Sequence, residues 1–225
     1  MPGLKKYEPS IRFSANKITP DEFDQRVHYT VQNPSVSASL LGTVTTATTT
    51  GGPFVMDSIA CDYPRNLLFT LTGVAGGMGG TMTATGTDQF GRAQTESIGF
   101  GSAASGGTAA GTKIFDTVTS ATLDSVVGVG GTAIGTASLG FAIGTAAGIV
   151  AQFGLPVKIK AVGDVKRIMW NDNTVQKSVN GGTVNSTYVG TTAHSFNVGQ
   201  IVAAADAYHV DILTTYTSEN DANVG

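Results

Sequence analysis

Three histidines, one cysteine and 16 acidic side chains are the groups from which this 225-residue chain could build catalysis or metal binding. His28, His194 and His209 stand far apart in sequence. None belongs to an H-x-x-H or H-E-x-x-H pair, the spacing that turns two imidazoles toward one metal. Each reads as a surface or half-buried histidine. Cys61 follows Ile59 and Ala60 and has no second cysteine for a disulfide or a metal; it reads as a buried thiol. Asp88 with Glu96, and Asp172 between Asn171 and Asn173, offer oxygen ligands for calcium. Neither set follows the spacing of a calcium-binding loop. The second reads as a turn built from residues that tolerate the left-handed conformation. No G-x-S-x-G elbow is present, and no glycine run leads into Gly-Lys-Ser/Thr. The chain therefore reads as a non-enzyme with no cofactor and no metal. Lys158, Lys160, Lys166 and Arg167 form the one basic cluster. On a strand, Lys158 and Lys160 would share a face, either solvated or docked on an acidic partner.

The background to these groups is unusual. Charged residues make up 13% of the chain, about half of the roughly 25% of an average soluble domain. Glycine counts 30, 41% of residues are apolar, and the formal net charge is −3. A protein that neutralises phosphates should be basic, so nucleic acid is not the expected partner. The apolar content excludes a disordered acidic tail, and Glu, Lys and Leu are too scarce for a coiled coil. The exterior must be built largely from Thr, Ser, Asn, Gly and Ala. Such a surface suits a protein packed against copies of itself or against another shell, or else a secreted domain. The opening MPGLKKYEPSIRF has no apolar run after its lysines, so export by a signal peptide is not expected. From Val126 to Val157 no residue is charged, and Gly140, Gly144 and Gly148 recur every fourth position. Eight glycines and the Gly-Thr pairs in that stretch read as strands and turns rather than a membrane helix.

The elements that would position any site read as short strands. Asn66–Thr72 is the clearest, and Phe54–Ile59 is another candidate. Thr81–Gly86 alternates Thr with small or apolar residues, Thr87–Arg92 is a turn, and Ala93–Phe100 returns as the partner of a hairpin. A second glycine-rich loop is expected over Gly101–Gly111, then a strand over Lys113–Leu123 and one or two more before Ile143. Pro156–Val162 and Val165–Trp170 both alternate. Thr183–Val189 and Tyr208–Tyr216 supply the last strands, and Ile201–Ala207 hints at a short helix. About ten strands with frequent turns predict an all-β fold, an antiparallel β-sandwich or barrel-like domain.

Residues 1–35 differ from the rest. They hold nine of the 29 charged residues and Pro2, Pro9, Pro20 and Pro34, four of the seven prolines. This argues against a core strand. One helical turn could open at Thr19-Pro20-Asp21-Glu22-Phe23. The segment reads as an extended arm whose Tyr7, Ile11, Phe13, Ile18 and Phe23 lie on a partner. Residues 36–225 would form the sandwich, with a smaller β subdomain after about 157. Removal of residues 1–30 is then expected to leave the domain folded.

Three segments carry a resemblance. They are Asp62-Tyr63-Pro64-Arg65-Asn66, the run from Gly80 through the Asp88-Gln89-Phe90-Gly91-Arg92 turn to Glu96, and Lys113–Ser120. With Gly154-Leu155-Pro156 behind a Gly/Thr-rich strand, residues 60–160 resemble the structural proteins of tailed-phage virions. The resemblance implies a structural role and brings no catalytic residue. It is most like a capsid decoration (cement) protein on the virion surface. Such a protein is made in the host cytoplasm, binds major capsid protein subunits and self-associates, often as a homotrimer. A tail, head–tail connector or fibre-base component is the alternative.

Overall fold

The computed structural model describes residues 22–32, 34, 41–46, 52–56, 60–73, 78–103, 106–127, 135–144, 149–172, 175–180, 184, 187, 189–199 and 207–217. Among these the chain is all β, with one 3₁₀ turn at Val162–Asp164. The strands are β1 (Glu22–Gln32), β2 (Gly42–Thr46), β3 (Gly52–Pro53), β4 (Val55–Met56), β5 (Ala60–Gly73), β6 (Met78–Thr87), β7 (Ala93–Ala103) and β8 (Gly106–Val127). They continue with β9 (Gly135–Phe141), β10 (Ala151–Gly154), β11 (Val165–Asp172), β12 (Val175–Asn180), β13 (Val189–Gly190), β14 (Ser195–Gly199) and β15 (Ala207–Thr217). Every pairing is antiparallel, as the sequence predicts.

The larger sheet folds on itself. The 22-residue strand β8 belongs to both of its halves. Its first part pairs with β5, and from Thr117 onward its opposite edge pairs with β6. β5 carries β9, which carries β2 and then β4, while β6 carries β7. The short run around Phe54 closes the far side, since β3 pairs with β8 and β4 with β2. The alternation read in Thr81–Gly86 now has its reason: Met82 and Ala84 point into the enclosed core while the threonines point out. Phe69, Leu71, Phe115, Leu123 and Leu139 fill that first core, and Cys61 is buried in it.

A second core lies where the smaller sheet, in the order β1-β15-β11-β12, covers β10, β14 and β13. Phe153 stacks on Phe196 and tilts against Tyr208, each with ring centroids 5.5 Å apart. Tyr29 of β1 meets the edge of Phe196. The Tyr63 hydroxyl donates to the Gln32 carbonyl at 2.8 Å, tying the start of β5 to the end of β1.

Arg65 sits between the two cores, fully buried. Its guanidinium lies 4.5 Å from the ring centroid of Phe141 in the first core and 5.0 Å from that of Phe153 in the second. It donates to the Ala142 carbonyl at 3.2 Å and pairs with Asp62 at 3.3 Å. Burial pulls its pKa below the usual guanidinium value, and Asp62 opposes that pull. The neighbouring Asn66 is also buried. Its amide donates to the carbonyls of Gly111 and Val150, and its oxygen accepts from Gln152 N–H. Pro64 is tolerated here because β5 breaks register with β8 between Ala60 and Arg65.

Several expectations are corrected. Glu22–Gln32 is a strand, so the arm expected over 1–35 does not reach that far and no helical turn includes Glu22 and Phe23. Val27 and Val31 are core residues, so removing residues 1–30 takes away most of β1 and part of the second core. The glycine-rich stretch 101–111 is largely strand, because β7 runs to Ala103 and β8 starts at Gly106. A Cβ at Gly111 would lie 2.3 Å from the Glu96 carboxylate, which would have to move to admit it. Residues 155–161 are not a strand. Asp164 Oδ2 takes the N–H groups of Lys160 and Ala161, which folds the segment into a turn. The Phe54–Ile59 candidate shrinks to Val55–Met56 among the described residues, and Ala207 begins β15. The subdomain expected after 157 does not stand apart, since residues from 151 onward share the second core with β1.

Arg65→Ala is expected to cost about 3–5 kcal/mol, because it leaves a cavity across both cores and removes the guanidinium that pairs with Asp62. Urea unfolding followed by far-ultraviolet circular dichroism measures it; a loss below about 1 kcal/mol would mean that the cores do not depend on this side chain.

Candidate functional site

Three surfaces concentrate polar groups. The largest is the outer face of β7-β6-β8. Thr81, Thr83, Thr85 and Thr87 of β6 lie between Thr95 and Ser97 of β7 and Thr117, Ser120 and Thr122 of β8. Strand alternation places all of them on one side, because Met82, Ala84, Ile98, Val118 and Ala121 take the other. The hydroxyls bond across strands: Thr83 to Ser97 at 2.9 Å, Thr85 to Thr95 at 3.2 Å and Thr87 to Thr117 at 2.6 Å. Thr119, the extra residue where β8 slips register against β6, donates to the Thr85 carbonyl at 3.0 Å. Asp124, which accepts from Thr83, puts a carboxylate at one end. The result is a hydroxyl-covered sheet face with little charge, its side chains pre-positioned by one another.

The second surface is the outer face of β1-β15-β11. Its centre is Asp211, whose side chain is 9% exposed. His28 donates through Nδ1 to Asp211 Oδ1 at 2.7 Å, and Arg167 donates to Oδ2 through Nε at 2.8 Å and Nη2 at 2.6 Å. Arg26 stands 4.0 Å from the same oxygen. His209 stacks on His28 with centroids 5.7 Å apart and bonds Thr30 through Nδ1. Burial would raise the Asp211 pKa, but the bonds from His28 and Arg167 outweigh it and hold the carboxyl below its usual range. Burial, with His28 and Arg167 beside it, pulls the His209 imidazole below its ordinary value against the raising effect of Asp211.

The third is a cleft of about 330 Å³ between the β6–β7 turn, the start of β8 and the turn before β14, lined by Asp88, Arg92, Lys113 and Thr192 among others. Its polar walls are bonded internally. Arg92 is on Asp88, the Lys113 ammonium on the Thr95 carbonyl, and the Gln94 amide on the Ile114 carbonyl. That wiring makes a seam rather than an open binding pocket.

The residues singled out from the sequence fall as follows. Tyr7, Ile11, Phe13 and Ile18 lie outside the described residues, and Phe23 lies in β1 opposite Tyr216. The basic cluster disperses: Lys158 lies over Phe90, Lys166 donates to the Gly163 carbonyl, and Arg167 joins Asp211. Asp88 and Glu96 do not share a ligand. Asp88 caps its turn by accepting from Phe90 N–H and Arg92 N–H, and Glu96 accepts from the N–H groups of Thr112 and Lys113. Among the described residues no three His, Cys, Asp or Glu side chains are placed to hold a metal ion, and no helix is long and apolar enough to cross a membrane. The histidines are exposed (His28) or half-buried (His194 and His209), as the sequence predicts, and two of the three stack, which it did not show. Only the register of β1 on β15 brings them together. Comparison with models of protein families, with curated proteins and with solved structures found no match.

Asp211→Asn is expected to cost about 1.5–3 kcal/mol at neutral pH, the scale of hydrogen bonds to a charged group. The stabilisation from Asp211 is present above about pH 4, the unfolded value, and is lost as pH falls through its lower folded value. The gap between wild type and variant in urea titrations should therefore close below that pH. A gap that persists unchanged in acid would contradict the assignment.

Proposed function

We propose that the chain is a structural protein of a phage particle, decorating and stabilising the capsid exterior by binding major capsid protein subunits. The observation that supports this reading is the hydroxyl face of β7-β6-β8, where Thr and Ser side chains bond one another across three strands. A freely diffusing protein usually keeps a densely charged exterior to stay apart from its neighbours. A wide face with few charges desolvates cheaply against a protein shell, and its hydroxyls can both donate and accept there. The low overall charge of the chain, 13%, points the same way. The residues before β1, with Tyr7, Ile11, Phe13 and Ile18, would add a tether, so that face and arm together grip more than one subunit. Self-association as a trimer would multiply that grip.

The test is binding to particles stripped of this chain. Thr95 and Ser120 are exposed and flank Thr85. Thr95→Lys with Ser120→Lys should leave the fold intact, since exposed substitutions usually change stability by about 0.5 kcal/mol or less. It should also lower capsid occupancy by about tenfold or more, because two ammonium groups would have to be desolvated. Occupancy equal to wild type would show that this face is not the interface.

A further inference from the structure

We infer that His194 is an acid-released latch holding the tip of the β6–β7 hairpin to the second core. The inference stands on the geometry around His194 and not on the functional reading above.

The latch is built around the carbonyl and the imidazole of His194. The backbone of His194 is left-handed, with φ of 46°, a conformation uncommon for a non-glycine residue. That backbone aims its carbonyl at two donors: Leu155 N–H at 2.7 Å and the Gln89 amide at 3.3 Å. The Gln89 amide also reaches the Ala193 carbonyl at 3.0 Å, so the hairpin tip is tied to this turn through Gln89. The imidazole accepts from Ile159 N–H at its Nδ1, 3.2 Å away. An acceptor at Nδ1 places the ring's proton on Nε2 and requires the neutral form. The ring meets Phe90 edge-on at 5.6 Å, so the hairpin packs against the same side chain that its Gln89 holds by the backbone.

Among the described residues three charged groups act on this point. Arg92 and Asp88 come from the hairpin, paired with each other, and Lys158 comes from the segment before Ile159. Arg92 and Lys158 both lie over the Phe90 ring. A proton arriving from solvent at Nδ1 turns an acceptor into a donor that faces the Ile159 donor, and adds a third cation beside Arg92 and Lys158. Among the described residues Asp88 is the carboxylate acting on this ring, and Arg92 already occupies it. Half-burial and these two cations pull the His194 pKa down from its ordinary value. The sign follows: a group protonated more readily in the unfolded or opened state stabilises the closed latch above about pH 6.5 and loses that contribution as pH falls toward its folded value.

His194→Asn separates the roles. An Asn Oδ1 occupies the position of Nδ1, accepts from Ile159 without titrating, and tolerates the left-handed backbone. Amide hydrogen exchange on the full chain at about pH 7.5 and about pH 5, corrected for intrinsic rates, reads the latch. In the wild type, protection of the Leu155 and Ile159 amides should fall by about tenfold relative to Leu67–Leu71 of β5, while His194→Asn should hold it within about threefold. Unchanged protection in the wild type, or an equal loss in the variant, overturns the inference. Imidazole nitrogen NMR on the wild type gives a reading that needs no variant: at neutral pH His194 should carry its proton on Nε2, and a proton on Nδ1 overturns the latch.

Discussion

A single buried cation joins the halves of this molecule. Arg65 lies between the aromatic ring that ends β9 and the one in β10, and its guanidinium touches both cores. An arginine out of water is costly unless ring faces, carbonyls and a carboxylate surround it. Phe141, Phe153, the Ala142 carbonyl and Asp62 meet that need only when β9 and β10 follow one another along the same edge of β5. The arginine therefore specifies the junction: a slipped strand would strand the charge. Asn66 reinforces it by bonding Gly111, Val150 and Gln152, which lie in or beside β8 and β10.

The rest of the architecture is built from neutral parts. Glycine lets strands approach where no side chain fits. A Cβ at Gly86 would lie 1.9 Å from the Thr117 carbonyl, so only glycine admits the close approach of β6 to β8 where their register shifts. Threonines satisfy one another on the outer face, so the surface stays polar without ionic groups. Among the described residues, ion pairs gather at Arg65, the Asp88–Arg92 turn and Asp211. Such economy of charge links the composition to the proposed role as a component packed against a shell.

How much of this was legible in the sequence follows from the range of the interactions. The β6–β7 hairpin was readable because its determinants are local: Asp88 caps the turn and Gly91 takes a positive φ of 77°. The all-β class followed from alternation and turn residues. β1 was hidden, since the prolines and charges of residues 1–35 made the segment look like an extended arm, while its core side is only Val27, Tyr29 and Val31 among the described side chains. Residues 156–162 alternated like a strand, but Asp164 and His194 capture the N–H groups of Lys160, Ala161 and Ile159. The Asp211 cluster was out of reach, because His28 and Asp211 lie 183 positions apart and meet only through strand register. Arg65 stood within the segment that carries the virion resemblance, yet nothing in sequence marked it as the junction.

The proposed role puts this protein on an assembled shell. Electron cryomicroscopy of particles purified from cells that express the chain decides whether it does. The proposal predicts density for the fold at high copy number, with the β7-β6-β8 face turned toward capsid subunits. A fully resolved particle without this chain, or with that face turned to solvent at every copy, would contradict it.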